Sequence, residues 1–263
     1  MILERQSQHV FLGASALLFA GSAALTTIWC RSMSTIDGMS MPGGWTMSMA
    51  WMRMPGETWP TATALFVGMW VVMMIAMMLP SLVPMLARYR QAVHRTADTN
   101  LNWLTALAGA GYFFVWTAAG AAIFPLGVAL AAIEMQQPAL ARIIPVIAGA
   151  VVLIAGALQF TTWKQHHLTL CREMPQCDRI LSADALTAWR QGTHFGLHCG
   201  LSCANLTAVL LVIGVMDLRP MVLVTAAITL ERLAPVGKHV AHAIGFVVIG
   251  AGLFLIAQAA GLK

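Results

Sequence analysis

The chain has 263 residues, 59% of them hydrophobic and only 10% charged, with a mean hydropathy of +0.77. A soluble domain carries roughly 25% charged residues, so this composition cannot clothe a water-facing surface and excludes a soluble enzyme. The net charge of +5 does not indicate a nucleic-acid partner either, because the basic residues sit in short segments beside apolar runs, as the positive-inside rule describes.

Seven apolar segments follow in chain order, at 10–29, 62–87, 103–132, 143–163, 193–216, 220–233 and 236–260. The first has a short polar start and no A-x-A-like cleavage site before Cys30 and Arg31, so it reads as an uncleaved helix. The second closes on MMLPSLVPML, where Pro80 and Pro84 should kink or terminate the helix. The sixth covers only about 21 Å at 1.5 Å per residue, against a hydrocarbon core of about 30 Å. It is tilted, re-entrant or set in a thinned bilayer.

The expected fold is all-α, a polytopic transmembrane bundle of about seven membrane segments. It forms one integral membrane domain over 1–263, with a Met-rich extracytoplasmic loop at 30–61 and a cytoplasmic His/Cys loop at 164–192. Lys and Arg on alternating sides divide ten against five, which places the N-terminus in the cytoplasm. A bacterial inner membrane is the expected location.

Thirteen of the eighteen methionines lie between Met33 and Met85. Met39, Met41, Met47, Met49, Met52 and Met54 sit in a polar, glycine-dotted loop too hydrophilic to bury them. Met69, Met73, Met74, Met77, Met78 and Met85 occupy one half of the second helix at about 100° per residue. Thioether sulfur is a soft ligand that selects Cu(I). It also fills irregular gaps between helices and adaptable interfaces, so packing competes with metal capture on the helix, and an interfacial cap competes with it in the loop.

Two further groups carry donors. WKQHHLTLCREMPQC at 163–177 holds His166, His167, Cys171 and Cys177, with His167 and Cys171 four apart and so on one face of any continuing helix. GTHFGLHCGLSCANLT at 192–207 pairs His194 with His198 and Cys199 with Cys203. On one helix the two pairs point about 140° apart, so either glycines break the helix or each pair meets a different partner. Two thiols on one face offer the two-coordinate geometry that Cu(I) accepts, and imidazole with thiolate suits zinc or copper. Close packing of small residues is the competing explanation for the cysteines.

Glu231 and Arg232, near a helix end, fit structural pairing with snorkelling. There is no Walker A motif, H-E-x-x-H, G-x-S-x-G or C-x-x-C, so no catalytic chemistry is visible.

Over roughly 65–255 the chain resembles a bacterial family of predicted metal-binding integral membrane proteins, some of whose members are labelled copper chaperones. The resemblance rests on MWVVMMIAMMLPSLVP, GALQFTTWKQHHLTLCREMP and GLHCGLSCANLTAVLLVIGVMDLRPMVLVTAAITLERLAPVGK. Gln159, Lys164, Cys171, Arg172, Pro175, Cys199, Cys203 and Glu231 stand at matching positions. His167 replaces a family cysteine, Ser202 another and Ala204 a tryptophan. The resemblance implies metal binding with a hardened donor set.

The expected function is Cu(I) handling, with transfer or chaperoning for copper-enzyme assembly or homeostasis; zinc is the lesser alternative. Met39, Met41, Met47 and Met49 would collect the ion, Met73, Met74, Met77 and Met78 would hold it, and His167, Cys171, His198, Cys199 and Cys203 would bind it at the cytoplasmic end. Expected partners are the lipid bilayer and a copper-donor or copper-acceptor protein or membrane enzyme complex, with no nucleic acid. The alternative is a non-catalytic accessory subunit of such a complex.

Overall fold

The computed structural model describes residues 2–34, 39–41, 45–48, 51–53, 56–94, 101–172 and 184–261. Within them the chain forms α1 (Ile2–Ser34), a hairpin of β1 (Met39–Met41) and β2 (Trp45–Met47), α2 (Trp59–His94), α3 (Leu101–Gln136), α4 (Pro138–Leu158), α5 (Thr162–Arg172), α6 (Ala185–Ile213), α7 (Leu218–Leu233) and α8 (Gly237–Ala259). Helices α1, α2, α3, α4, α6 and α8 are long and apolar enough to cross a membrane. Their exposed faces carry Leu17, Phe114, Phe246 and Phe254, large apolar groups that belong in lipid. The chain is a helical bundle with the profile of a multi-pass membrane protein.

The short sixth apolar segment is α7, 16 residues and about 24 Å long. Gly214, at φ 143, closes α6 and turns the chain, and the Asp217 carboxylate caps α7 by accepting from the Arg219 N–H at 2.9 Å.

Two expectations change. Pro80 and Pro84 do not end the second helix, which runs on to His94. Inside a membrane bundle, neighbouring helices and side chains satisfy the groups a proline frees, so a transmembrane helix tolerates prolines in its interior. Nor is 164–192 a loop throughout. Thr162–Arg172 is helical, with Lys164 and Leu168 buried, because Lys164, Leu168 and Cys171 recur at helical spacing on one face.

The helices pair as α3 with α6 and α4 with α8, while α2 packs against α1, α3 and α7. Helices α3 and α6 approach so closely that a Cβ on Gly196 would stand 2.8 Å from the Tyr112 carbonyl oxygen, the small-residue contact that membrane helices use. At one end, Trp45 donates from Nε1 to the Ala141 carbonyl at 2.9 Å, docking the hairpin onto α4. At the opposite end, Arg90 joins α1, α2 and α3 through Ser7 Oγ (2.7 Å), Asn102 Oδ1 (2.9 Å) and Thr105 Oγ1 (3.2 Å). These are called the hairpin end and the α5 end below.

Candidate metal centre

The methionine face of α2 points into the protein. Met73, Met74, Met77 and Met78 are all buried in the central core, which also contains Trp70, Tyr112, Cys199 and Cys203. Met69 and Met85 pack against that core from its edge. Trp70 fixes the local register of α2 on α3 by donating from Nε1 to the Trp116 carbonyl at 2.9 Å.

Helix α6 runs unbroken through its glycines, so its cysteine and histidine pairs do meet different partners. Cys199 and Cys203 are both 1% exposed and, four residues apart, lie one turn apart on the same face of α6. The Tyr112 hydroxyl stands 2.6 Å from Cys199 Sγ. Ser202 Oγ lies 3.6 Å from Cys203 Sγ and 3.7 Å from Cys171 Sγ, so one hydroxyl sits between two thiols from different helices. Arg232 donates from Nη2 to Cys203 Sγ at 3.4 Å and from Nη1 to Ser81 Oγ at 3.2 Å. Ser81 lies one turn beyond Met77 and Met78 on α2, so the guanidinium connects the thiols to the thioether stripe. It is also the charge a bound thiolate needs in an apolar interior.

A buried ionic network supports this cluster. Lys164 Nζ pairs with Glu231 Oε2 at 2.8 Å and donates to the Ser202 carbonyl at 2.5 Å. Gln159 donates to Glu231 Oε1 at 2.8 Å, and Asn205 donates to the Ala155 carbonyl at 3.0 Å. Glu231 is therefore a fully buried, paired charge and not a snorkelling one. The end of α7 on which it sits lies inside the bundle, where Lys164 of α5 reaches it. By holding the backbone at Ser202, Lys164 also sets the position of the thiols on either side.

His167 does not join the thiols. Its Nδ1 stands 3.1 Å from His198 Nδ1, and His198 Nε2 stands 3.1 Å from His194 Nε2. The four donors His167, Cys171, Cys199 and Cys203 thus separate, although His167 and Cys171 share a face of α5. His167 meets α6 at position 198 and Cys171 meets it at 202, on a stripe about 100° from the cysteine face. Among the described residues no set of three or more His, Cys, Asp or Glu side chains is arranged to hold a metal ion. Burial, with His166 nearby, holds the His167 imidazole below its ordinary pKa, while burial pushes the Cys171 thiol up against the opposing pull of Arg232.

At the hairpin end, Met41 is buried against Ala131 and Ala141. Met39 and Met47 are backbone register partners in the β-ladder. Met49 lies outside the described residues. Trp51 covers Gly127 and contacts Phe66 at a ring distance of 5.2 Å, clamping the hairpin segment onto α2 and α3.

Tyr112, Ser81 and the role of Arg232 were not legible from the sequence motifs. Tyr112 is an interior tyrosine of an apolar helix. The available signal was a hydroxyl and a guanidinium within apolar segments, which are costly to bury and usually have work to do.

The bundle defines a helical protein with the profile of a multi-pass membrane protein. A family described as copper chaperone (PpoB2) matches residues 67–255, and the chain belongs to that family. The match spans α2 to α8 and leaves the hairpin outside it. Comparison with curated proteins and with solved structures returns no match.

Proposed function

We propose that the protein binds Cu(I) in the bacterial inner membrane and passes it to a copper-dependent partner, with its N-terminus and α5 end in the cytoplasm. The observation that carries this reading is the burial of Cys199 and Cys203 in the same core as the four thioethers of α2, with Arg232 bonded to both Cys203 and Ser81 of α2. Membership in a copper-chaperone family supports the same cargo.

The donor set favours Cu(I) over zinc. Zinc takes four N, S or O ligands in a tetrahedron, and no such cluster is present among the described residues. Cu(I) accepts two thiolates, or a thiolate with thioethers, in a soft and water-poor setting. Cys199 and Cys203 would be the principal ligands, with Met77 and Met78 of α2 next along the path. Cys171 would be the first thiol met from the α5 end and Ser202 the spacer between it and Cys203. Arg232 would balance the charge that the thiolates acquire. Met73 and Met74 continue the sulfur stripe toward the hairpin end. His167 and His198, turned away from the thiols, would hold metal only as a separate and weaker pair.

Competition between the purified protein and a chromophoric Cu(I) chelator tests this. The expected result is binding of about one Cu(I), with affinity reduced at least tenfold in the Cys199→Ser, Cys203→Ser double variant. Unchanged affinity and stoichiometry in that variant would remove the thiol site.

A further inference from the structure

A second feature lies beside the thiols, at the α5 end of the α2 methionine stripe, with Ser81 and Met85 in its wall. A half-open cleft of about 600 Å³ is bounded by α2, α5, the α7–α8 turn and the start of α8. That volume is within the range of about 300–1,000 Å³ typical of small-molecule sites. Arg88, Arg172, Arg232 and Lys238 line it, and no carboxylate does so among the described residues. Cys171 is also part of its wall.

Four cations around one cavity, with no carboxylate in its wall among the described residues, favour an anionic ligand. Arg172 is largely occupied: it donates to the carbonyls of Glu231, Ala234 and Pro235 and pins the α7–α8 turn. Arg88 spends one donor on the Arg172 carbonyl at 3.2 Å and is otherwise exposed. Arg232 keeps a buried Nε with no hydrogen-bond partner among the described residues. Helix α8 begins at this cleft with Gly237 and Lys238, and its N-cap Val236 offers no side-chain acceptor. The positive end of the α8 dipole adds to the field.

We infer that this cleft receives a small anionic thiol, of tripeptide size and carrying carboxylates, that brings Cu(I) to Cys171 or removes it. This rests on the Cu(I)-handling reading above. The carboxylates fit Arg88, Lys238 and the α8 N-terminus, and the Cys171 wall gives the carrier sulfur a thiol with which to exchange. In the loading direction a Cu–S bond to the carrier breaks and a Cu–S bond to Cys171 forms. The Cys171 proton moves to the released carrier thiolate, and copper stays Cu(I). Ser202 and Cys203 lie immediately behind Cys171, so the ion enters the buried thiol pair without crossing the bundle.

The test uses S-methylglutathione, an anionic peptide that can neither bind copper as a thiolate nor exchange, with the copper-free, full-length protein in detergent. The expected result is measurable binding that weakens as salt rises and the screening length shrinks. Binding should be at least tenfold weaker in the Arg88→Ala, Lys238→Ala double variant, whose changes lie at exposed side chains. The same variant should load copper more slowly from the Cu(I)–glutathione complex, yet at the wild-type rate from Cu(I) held by an uncharged thiol. No binding by the wild type, or equal binding by the variant, would overturn the site. Displacement of the peptide by an equal concentration of inorganic phosphate or glycerophosphate would overturn the thiol-carrier assignment in favour of a phosphate or lipid-headgroup site. Peptide binding without copper uptake from any carrier would instead overturn the Cu(I) reading, and the carrier role with it.

Discussion

The two ends of the bundle hold sulfur in different ways. At the hairpin end, the Met41 thioether sits on a short two-stranded ribbon fixed by aromatic packing and one indole hydrogen bond, and is itself part of that packing. Toward the α5 end, thiols are held by a buried network of Lys164, Glu231, Gln159 and Arg232. A thioether is neutral whether or not it holds metal, so apolar packing suffices for it. A thiol must lose its proton to bind, and the resulting charge has to be met inside the membrane by a cation.

The largest expected effect comes from breaking that network. Lys164→Met leaves Glu231 buried without its partner, and removing one member of a buried pair costs about 3–5 kcal/mol. Thermal unfolding in detergent should show this loss. Adding Glu231→Leu should recover most of it, because an apolar replacement of both members leaves no orphaned charge.

The next effect separates the two ends as copper sites. Cys203→Ser should weaken Cu(I) binding at least tenfold in chelator competition, whereas Met41→Leu should leave affinity unchanged. Met41→Leu is also a volume-conserving core swap, with an expected stability change below about 1.5 kcal/mol. A strong affinity loss in Met41→Leu would move the primary site to the hairpin.

A third prediction concerns pH. Burial holds the Cys171 pKa above its ordinary value, so this thiol stays protonated through neutral pH and Cu(I) must displace its proton. The rate of copper loading from the α5 end should therefore climb as pH rises through the thiol range. The climb should flatten in Cys171→Ser. The smallest effect belongs to Met78→Leu, which keeps the volume and removes one thioether. A few-fold change in Cu(I) affinity is expected, with stability nearly unchanged.

Much of the fold was legible because membrane helices announce themselves by length and composition. All seven apolar segments correspond to helices, and the short sixth one is α7. The separation of the cysteine and histidine faces of α6 also followed from helical periodicity alone. The remainder was hidden for two reasons. Helix α5 is too polar and short to read as part of a bundle, yet Lys164 buries its whole length to meet Glu231. The contacts that define the thiol site join residues far apart in the chain, such as Tyr112 with Cys199, separated by 87 positions. No local pattern encodes such a pairing. Of the two outcomes expected at the prolines of α2, a kink or an end, the end does not occur, because the rule that prolines break helices assumes freed backbone groups have only water to turn to.

The most direct measurement is X-ray absorption at the copper edge of the Cu(I)-loaded protein, which reads the ligand atoms without mutation. A first shell made of sulfur alone, with no imidazole outer-shell scattering, is the predicted result. A spectrum dominated by histidine nitrogen would place the ion on the His167–His198 pair and contradict the thiol and thioether site.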